Sequence, residues 1–292
     1  MQKKGLTFSV IFEAESANYG EGVGNVTALK KISRGTGESF SYISRQALRY
    51  NIVEQMEVNH TPLNLDGTVI QFHPDATIED NPEIDLFGYM KTTKPTRTRS
   101  AVVRLSNAVA LESFQTDIDF LTNKGLLDRY NATAEEQKDG GNIAQSEIHK
   151  SYYTYTVTVD LDCVGIDRND GIEISNYEKN KRVYNLLDAV KFLYRDIKGR
   201  RENLTPLLVI GGVYEKKNPF FENRLKVKNN QLLVETIEDV LSLDSSIREN
   251  TVVGYVQGVF QNDSNIKEKL HPTSVGGFFN QLQESVSTYY NI

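Results

Sequence analysis

The chain has 292 residues, 39% of them hydrophobic and 10% aromatic, with a formal charge of −6 at pH 7. This much apolar material excludes a disordered chain and suits one elaborated core with excursions. The net acidity excludes a protein that coats nucleic acid with its whole surface, so any such contact must be local.

Residues Leu6 to Glu13 alternate, with Leu6, Phe8, Val10 and Phe12 facing one way and Thr7, Ser9 and Ile11 the other. The pattern predicts a first, central strand. It runs into SANYGEGVGN (Ser16 to Asn25), where Gly20, Gly22 and Gly24 at every second position fit either tight turns that let a ligand approach the backbone or a plain flexible loop. A short extended segment, ESFSYI, leads to a helix with Ser44 as N-cap and Leu48 and Ile52 on its apolar stripe. At ~100° per residue, Arg45 and Arg49 lie just past the edge of that stripe, away from the far solvated face.

Residues 60–100, punctuated by Pro62, Pro74, Pro82 and Pro95, read as an insertion outside the sheet. Within it begins KTTKPTRTRSAVVR (Lys91 to Arg104), with five basic residues and no acid. Such a run fits a solvated loop, or a segment whose cations, Thr and Ser contact phosphate. Residues 115–150 form a second polar excursion, broken at Gly140–Gly141 and too long for a simple hairpin turn. SYYTYTVTVDL then predicts a strand with Tyr153, Tyr155, Val157, Val159 and Leu161 on one face. A helix follows, with Val183, Leu186, Leu187, Val190 and Tyr194 at helical spacing. LTPLLVIGGVY reads as a buried strand ending in the basic turn EKKNPFFENR (Glu215 to Arg224). TVVGYVQGVF (Thr251 to Phe260) is another strand and TSVGGFFNQLQESVSTYY (Thr273 to Tyr290) a closing helix, its start blurred by Gly276 and Gly277. This order predicts an α+β fold with an antiparallel sheet covered by helices on one face, and the ferredoxin-like βαββαβ arrangement fits it best.

Local signatures of common chemistries are missing. Cys163, the only cysteine, excludes an internal disulfide framework and a cysteine-based zinc site, and reads as a small buried apolar residue. His60, His73, His149 and His271 are scattered, with no pair four apart and no HExxH, so no metal is expected. There is no GxSxG, no Walker A sequence and no GxGxxG after a strand, so neither a catalytic residue nor a cofactor is expected. The longest apolar runs, such as Leu207 to Tyr214, fall far short of the ~20 residues of a membrane helix. The alternating N-terminus soon meets Glu13 and Glu15, unlike a signal peptide, and a cytoplasmic protein without a membrane partner is expected.

Four polar or basic segments lie at element ends, at 16–25, 44–49, 91–104 and 215–224. The helix start with Ser44, Arg45, Gln46 and Arg49 offers free backbone N–H groups, a hydroxyl, an amide and two guanidinium forks, which suit phosphate oxygens. The arginines can equally pair with carboxylates or snorkel.

GLTFSVIFEAESANYGEGVGN followed by YISRQALRY, then DLFGYM and AVVRLSNAVAL, resembles the DevR-type backbone subunit of type I (I-B-like) CRISPR Cascade complexes, a branch of the repeat-associated mysterious protein superfamily. The likeness runs through nearly the whole chain. It implies a single domain, 1–292, built as a modified RNA-recognition-motif palm with a finger or web insertion at about 60–100 and a thumb at about 115–150. It also implies that copies polymerise in a helical array along a CRISPR RNA and present it to target DNA in antiviral defence, without catalysis. Its implied partners include a large subunit, a 5′-handle-capping subunit and a guide-processing endoribonuclease.

In that family the first helix, with its Ser-x-Gln-x-x-basic pattern, contacts the guide backbone, and here the role falls on Ser44, Arg45, Gln46 and Arg49. The family's basic turn falls on Lys216, Lys217 and Asn218. Asn18, Gly20 and Asn25 of the glycine loop, with Lys91, Lys94, Arg97 and Arg99, complete the RNA-binding candidates. Leu126, Leu127 and Ile143 are candidates for the thumb wedge that displaces a guide base. The aromatic signature of ordinary RNA recognition motifs is missing, which favours backbone contacts over base stacking. A guide holder that accepts any spacer should read phosphate and sugar. Two other classes remain open: a metal-dependent RNase of the type III kind, with Asp117 and Asp119 near the thumb, and a transcriptional regulator, for which no DNA-reading helix is evident.

Overall fold

The computed structural model describes every residue except Met1, Ser16, Glu21, Val23, Gly24, Asn25, Gly141 and Asn142. In chain order, β1 (Gly5–Ala14), β2 (Val26–Thr27), β3 (Lys31–Ser33) and β4 (Ser39–Ile43) lead to α1 (Arg45–Gln55). The first insertion holds the hairpin β5 (Leu63–Asp66) and β6 (Val69–Phe72), then α2 (Pro82–Phe87), then the hairpin β7 (Tyr89–Lys91) and β8 (Arg97–Arg99). After β9 (Val103–Leu105) and β10 (Ala108–Ala110), the second excursion is a hairpin of β11 (Asp117–Thr122) and β12 (Ile143–Ile148), joined through α3 (Lys124–Asn131). The long β13 (Ser151–Asp160) follows, then the small pair β14 (Ile166–Asp167) and β15 (Ile172–Glu173). Next are α4 (Asn176–Lys191), the pair β16 (Tyr194–Ile197) and β17 (Arg200–Asn203), and β18 (Leu208–Tyr214). The pair β19 (Val227–Lys228) and β20 (Gln231–Leu232), α5 (Glu235–Leu241), α6 (Ser245–Glu249), β21 (Thr251–Tyr255), α7 (Asp263–Leu270) and α8 (Val275–Tyr290) complete the chain.

The main sheet runs β21-β18-β1-β13-β10-β4-β3, with β9 also on β13, and its neighbours are antiparallel. The order β1, α1, β9 with β10, β13, α4, β18 is the βαββαβ arrangement, interleaved so that β1 sits between β18 and β13. The register sets Leu6 opposite Val159, Phe8 opposite Val157, Val10 opposite Tyr155 and Phe12 opposite Tyr153, so the two alternating faces predicted from sequence meet. That face packs on α1, α4 and α8 through Leu48, Ile52, Leu186, Leu187, Phe278 and Phe279, all essentially buried. Each such side chain contributes roughly 1.5–3 kcal/mol by leaving water.

Two details differ from the periodicity. The helix α4 ends at Lys191, so Tyr194 starts β16 instead of extending the stripe. The opposite face of the sheet also carries a layer: Ile11, Leu208 and Ile210 pack against Phe221, Leu225, Ile237, Val240 and Phe260.

The first insertion is fastened by several contacts, among them Tyr89 to Asp167 and Arg97 to Asp170, and the most buried of them centres on one carboxylate. Asp85, on α2, is fully buried and accepts from Arg99 at 2.5 Å, Arg182 at 2.9 Å and the Gly165 N–H at 2.9 Å. Gly88, just after α2, has φ 76° and passes so close to β8 that a Cβ there would lie 2.5 Å from the Arg99 carbonyl oxygen. Only glycine suits that position.

Candidate nucleic-acid interface

The start of α1 is built by two asparagines. Ser44 is extended (φ −65°, ψ 149°) and its hydroxyl accepts from the Ala47 N–H, as the sequence predicts for an N-cap. The Ser44 N–H donates to Asn18 Oδ1 at 2.8 Å and the Arg45 N–H to Asn107 Oδ1 at 2.9 Å. Asn107 is placed there by a break in the second ferredoxin-type strand: between β9 and β10, the Thr156 N–H donates to Ser106 Oγ at 2.9 Å. The expectation of free N–H groups at this helix start is therefore narrowed, because capping consumes the Arg45 and Ala47 donors and leaves that of Gln46. Ser44 and Asn18 spend their side-chain oxygens on the cap.

Arg45 and Gln46 are exposed, and Arg49 is half-buried. They line a groove of about 400 Å³ with Phe87, Ala101, Val103, Arg104 and Leu105. Arg49 lies 3.5 Å from Glu83 and 4.9 Å from the centre of the Phe87 ring. Burial pulls its pKa below the usual guanidinium value, and Glu83 offsets part of that effect. Arg45 has no ion pair among the described residues. The edge-of-stripe position thus has two uses: Arg49 ties α1 to α2, while Arg45 is available to a ligand.

Arg104 and Leu105 also line a second groove, of about 320 Å³, with Ser106, Thr156, Lys217 and the carboxylates of Asp160 and Glu222. Arg104 joins the helix end of the interface to the basic turn, yet in sequence it is only the last cation of the run at 91–104 and is not among the individually named candidates. Its own signal is its place between Val103 and Leu105, alternating outward on a three-residue strand. In the basic turn, Lys217 contacts Asp160 and Asp162, Lys216 pairs with Asp244 at 2.8 Å, and Asn218 is exposed.

The run at 91–104 is largely corrected. Lys91 is fully buried, donates to the Ala76 carbonyl and sits 4.3 Å from the Tyr89 ring centre, and burial lowers its pKa. Arg99 is committed to Asp85 and to the carbonyl of Cys163, and Arg97 to Asp170 at 2.5 Å. Lys94 is exposed beside Pro95. In the glycine loop, the Gly20 N–H donates to the Ala28 carbonyl at 2.8 Å, and Asn25 lies outside the described residues.

The β11–β12 hairpin stands away from both cores. Every β11 residue is exposed, as are Phe120, Leu121, Leu126, Tyr130 and Ile143, while Leu127 is half-buried. Its base is tied down by Glu147, which accepts from the Leu29 N–H at 2.8 Å and pairs with Lys31. Next to that base His149 is buried, its Nδ1 2.7 Å from Ser41 Oγ. Asp117 and Asp119 are exposed on β11, and no cluster of three or more side chains suited to a metal ion occurs among the described residues. No helix of the described residues is long and apolar enough to cross a membrane.

A family model described as "CRISPR-associated negative auto-regulator DevR/Csa2" matches residues 6–231. The fold is similar to a chain of a "CRISPR RNA-guided surveillance complex, pre-nicking", with TM-score 0.63 and 11% identity over 96% of this chain and 100% of that one. It is also similar to a chain of a "CRISPR RNA-guided surveillance complex", with TM-score 0.60 and 14% identity over 98% of each. At such identities the likeness establishes a common fold. No curated protein sequence matches.

Proposed function

Because this chain belongs to the CRISPR-associated DevR/Csa2 family, we propose that it is the non-catalytic, guide-holding backbone subunit of a type I Cascade surveillance complex. Copies of it line up along a CRISPR RNA and hold the guide for pairing with target DNA, beside a large subunit, a subunit capping the 5′ handle and a guide-processing endoribonuclease, in the cytoplasm. The fold it has in common with chains of RNA-guided surveillance complexes supports the same reading.

The observation that carries this proposal is the basic path across the sheet: Arg45 and Gln46 at the start of α1, Arg104 in the middle, and Lys217 at the far end. The helix-end groove has one aromatic wall residue, Phe87, and it is buried beside Arg49. A path of cations and hydroxyls without an open ring, with the carboxylates of Asp160 and Glu222 at its far end, suits phosphate and sugar of any sequence once the far cations are free. In this reading the β11–β12 hairpin with α3 is the thumb, with Leu126, Leu127 and Ile143 as wedge candidates, and residues 60–100 are the finger or web.

The test is the RNA that co-purifies with the protein. The wild type should carry RNA of one repeat-plus-spacer length, and Arg45→Glu with Arg104→Glu should lose it while keeping the wild-type circular dichroism. A folded double variant with a normal RNA load would refute the path. Metal-dependent cleavage of RNA by the wild type would favour the RNase class, and preferential binding of its own promoter duplex would favour the regulator named in the family's description.

A further inference from the structure

The cations at the far end of the basic path are already occupied. Arg104 Nη1 lies 2.8 Å from one oxygen of Asp160, and Lys217 Nζ lies 3.2 Å from the other oxygen of the same carboxylate. Lys217 also contacts Asp162. Both carboxylates are mostly shielded, with 18% and 15% of their side-chain surface exposed, and Lys217 retains 28%. The pocket is shaped for this contact: the Lys217 stem crosses β1 at Gly5, where a Cβ would lie 3.0 Å from Lys217 Cγ. Arg45, at the other end of the path, has no such partner among the described residues.

A carboxylate that takes one cation on each oxygen presents to them what a phosphate group presents with two of its own. We propose that Asp160 and Asp162 are an internal stand-in for nucleic-acid phosphate: they hold Arg104 and Lys217 in position in the unloaded chain, and they must surrender these cations when a polyanion occupies the groove. The inference rests on the RNA-holding reading above. Its consequence is discrimination. A short or randomly placed nucleic acid meets two carboxylates at the end of the path and gains little from displacing them, whereas a strand gripped along the whole path gains enough at Arg45 and Gln46 to complete the exchange.

The experiment measures single-stranded RNA binding by fluorescence anisotropy across a salt series, for the wild type and Asp160→Asn/Asp162→Asn. The amides keep the shape and remove the competing charge. Affinity for a short RNA should rise about threefold to tenfold, the range expected from releasing ion pairs of this kind. The log–log salt slope should steepen by about 0.7 for each cation freed to meet phosphate. Asp239→Asn/Glu268→Gln changes the net charge equally at two exposed carboxylates that line neither groove and hold no cation among the described residues, and should shift affinity less than about twofold. Should the double variant fail to fold, Asp160→Asn alone carries the same test through the carboxylate that Arg104 and Lys217 both use. Wild-type binding with no gain in the groove variant, or a gain matched by the distant control, overturns the stand-in and leaves the RNA-holding reading intact. Failure of every form to bind RNA overturns both.

Discussion

Replacing Asp85 by alanine should cost about 3–5 kcal/mol, the range for removing one partner of a buried ion pair. The carboxylate has no exposed surface and satisfies Arg99, Arg182 and the Gly165 N–H. The losses are unequal. Arg182 keeps Glu178 at 3.2 Å and the carbonyls of Ile78 and Glu79, so its charge stays partly compensated. Arg99 retains only carbonyl partners such as Cys163 and is 9% exposed, so most of the penalty falls on it. Asp85→Asn, which still accepts from Gly165, should recover about 1 kcal/mol, and Asp85→Leu with Arg99→Met should recover more, because no unpaired charge remains inside. Urea unfolding followed by far-ultraviolet circular dichroism reads these differences as shifts in midpoint. Because α2 also sets Glu83 and Phe87 against Arg49, hydrogen exchange should quicken at the Val102 N–H, which donates to the Leu86 carbonyl. A cost below about 1 kcal/mol for the alanine variant, or an apolar double replacement no better than the single one, would refute this account of the insertion's anchorage.

His149 gives a pH prediction. Burial lowers its pKa below the ordinary 6.5, so between that value and the lower folded one the unfolded chain binds the extra proton. Stability should be full above pH 6.5 and fall as pH drops below it, and His149→Gln should lose this part of the slope in urea midpoints measured from pH 7.5 to 5. Replacing Asp119 to Ala144 by a short Gly-Ser linker should leave the core intact, because Glu147 and His149 at the hairpin base are retained, and closing the shorter loop costs little. The shortened protein should fold and stay monomeric on guide-length RNA; ordered arrays in electron micrographs would mean the hairpin is not the thumb.

The central strands were readable because their period is local: β1 and β13 alternate apolar residues over ten positions each, and the two faces meet in register. The start of α1 was readable through Ser44, but its occupied donors were not, since they end on Asn18 and Asn107 from distant segments. The acid-free run misled for the same reason. Its counter-charges, Asp85 and Asp170, come from α2 and from the loop after β14, so an excess of cations in sequence became a set of closed pairs in space. The layer on the second sheet face was hidden because α5, α6 and α7 are five to eight residues long, shorter than the window in which a helical period can be recognised.

The place of β1 has a consequence for synthesis. The strand leaves the ribosome well before its partners: one neighbour, β13, begins at Ser151 and the other, β18, ends at Tyr214, about 200 residues later. At about 5–20 residues per second, β1 waits roughly 10–40 s with at least one open edge and its apolar face uncovered, a state that invites pairing with other chains. The helix α8, which covers that face through Phe278 and Phe279, is made later still. Lys217 follows the end of β18 by three residues, so the far end of the basic path is laid down only as the sheet is completed. A chain stopped before the end of β18 therefore has the Arg45 end of the path without Lys217, and under the proposed function it would not hold a guide along the full length.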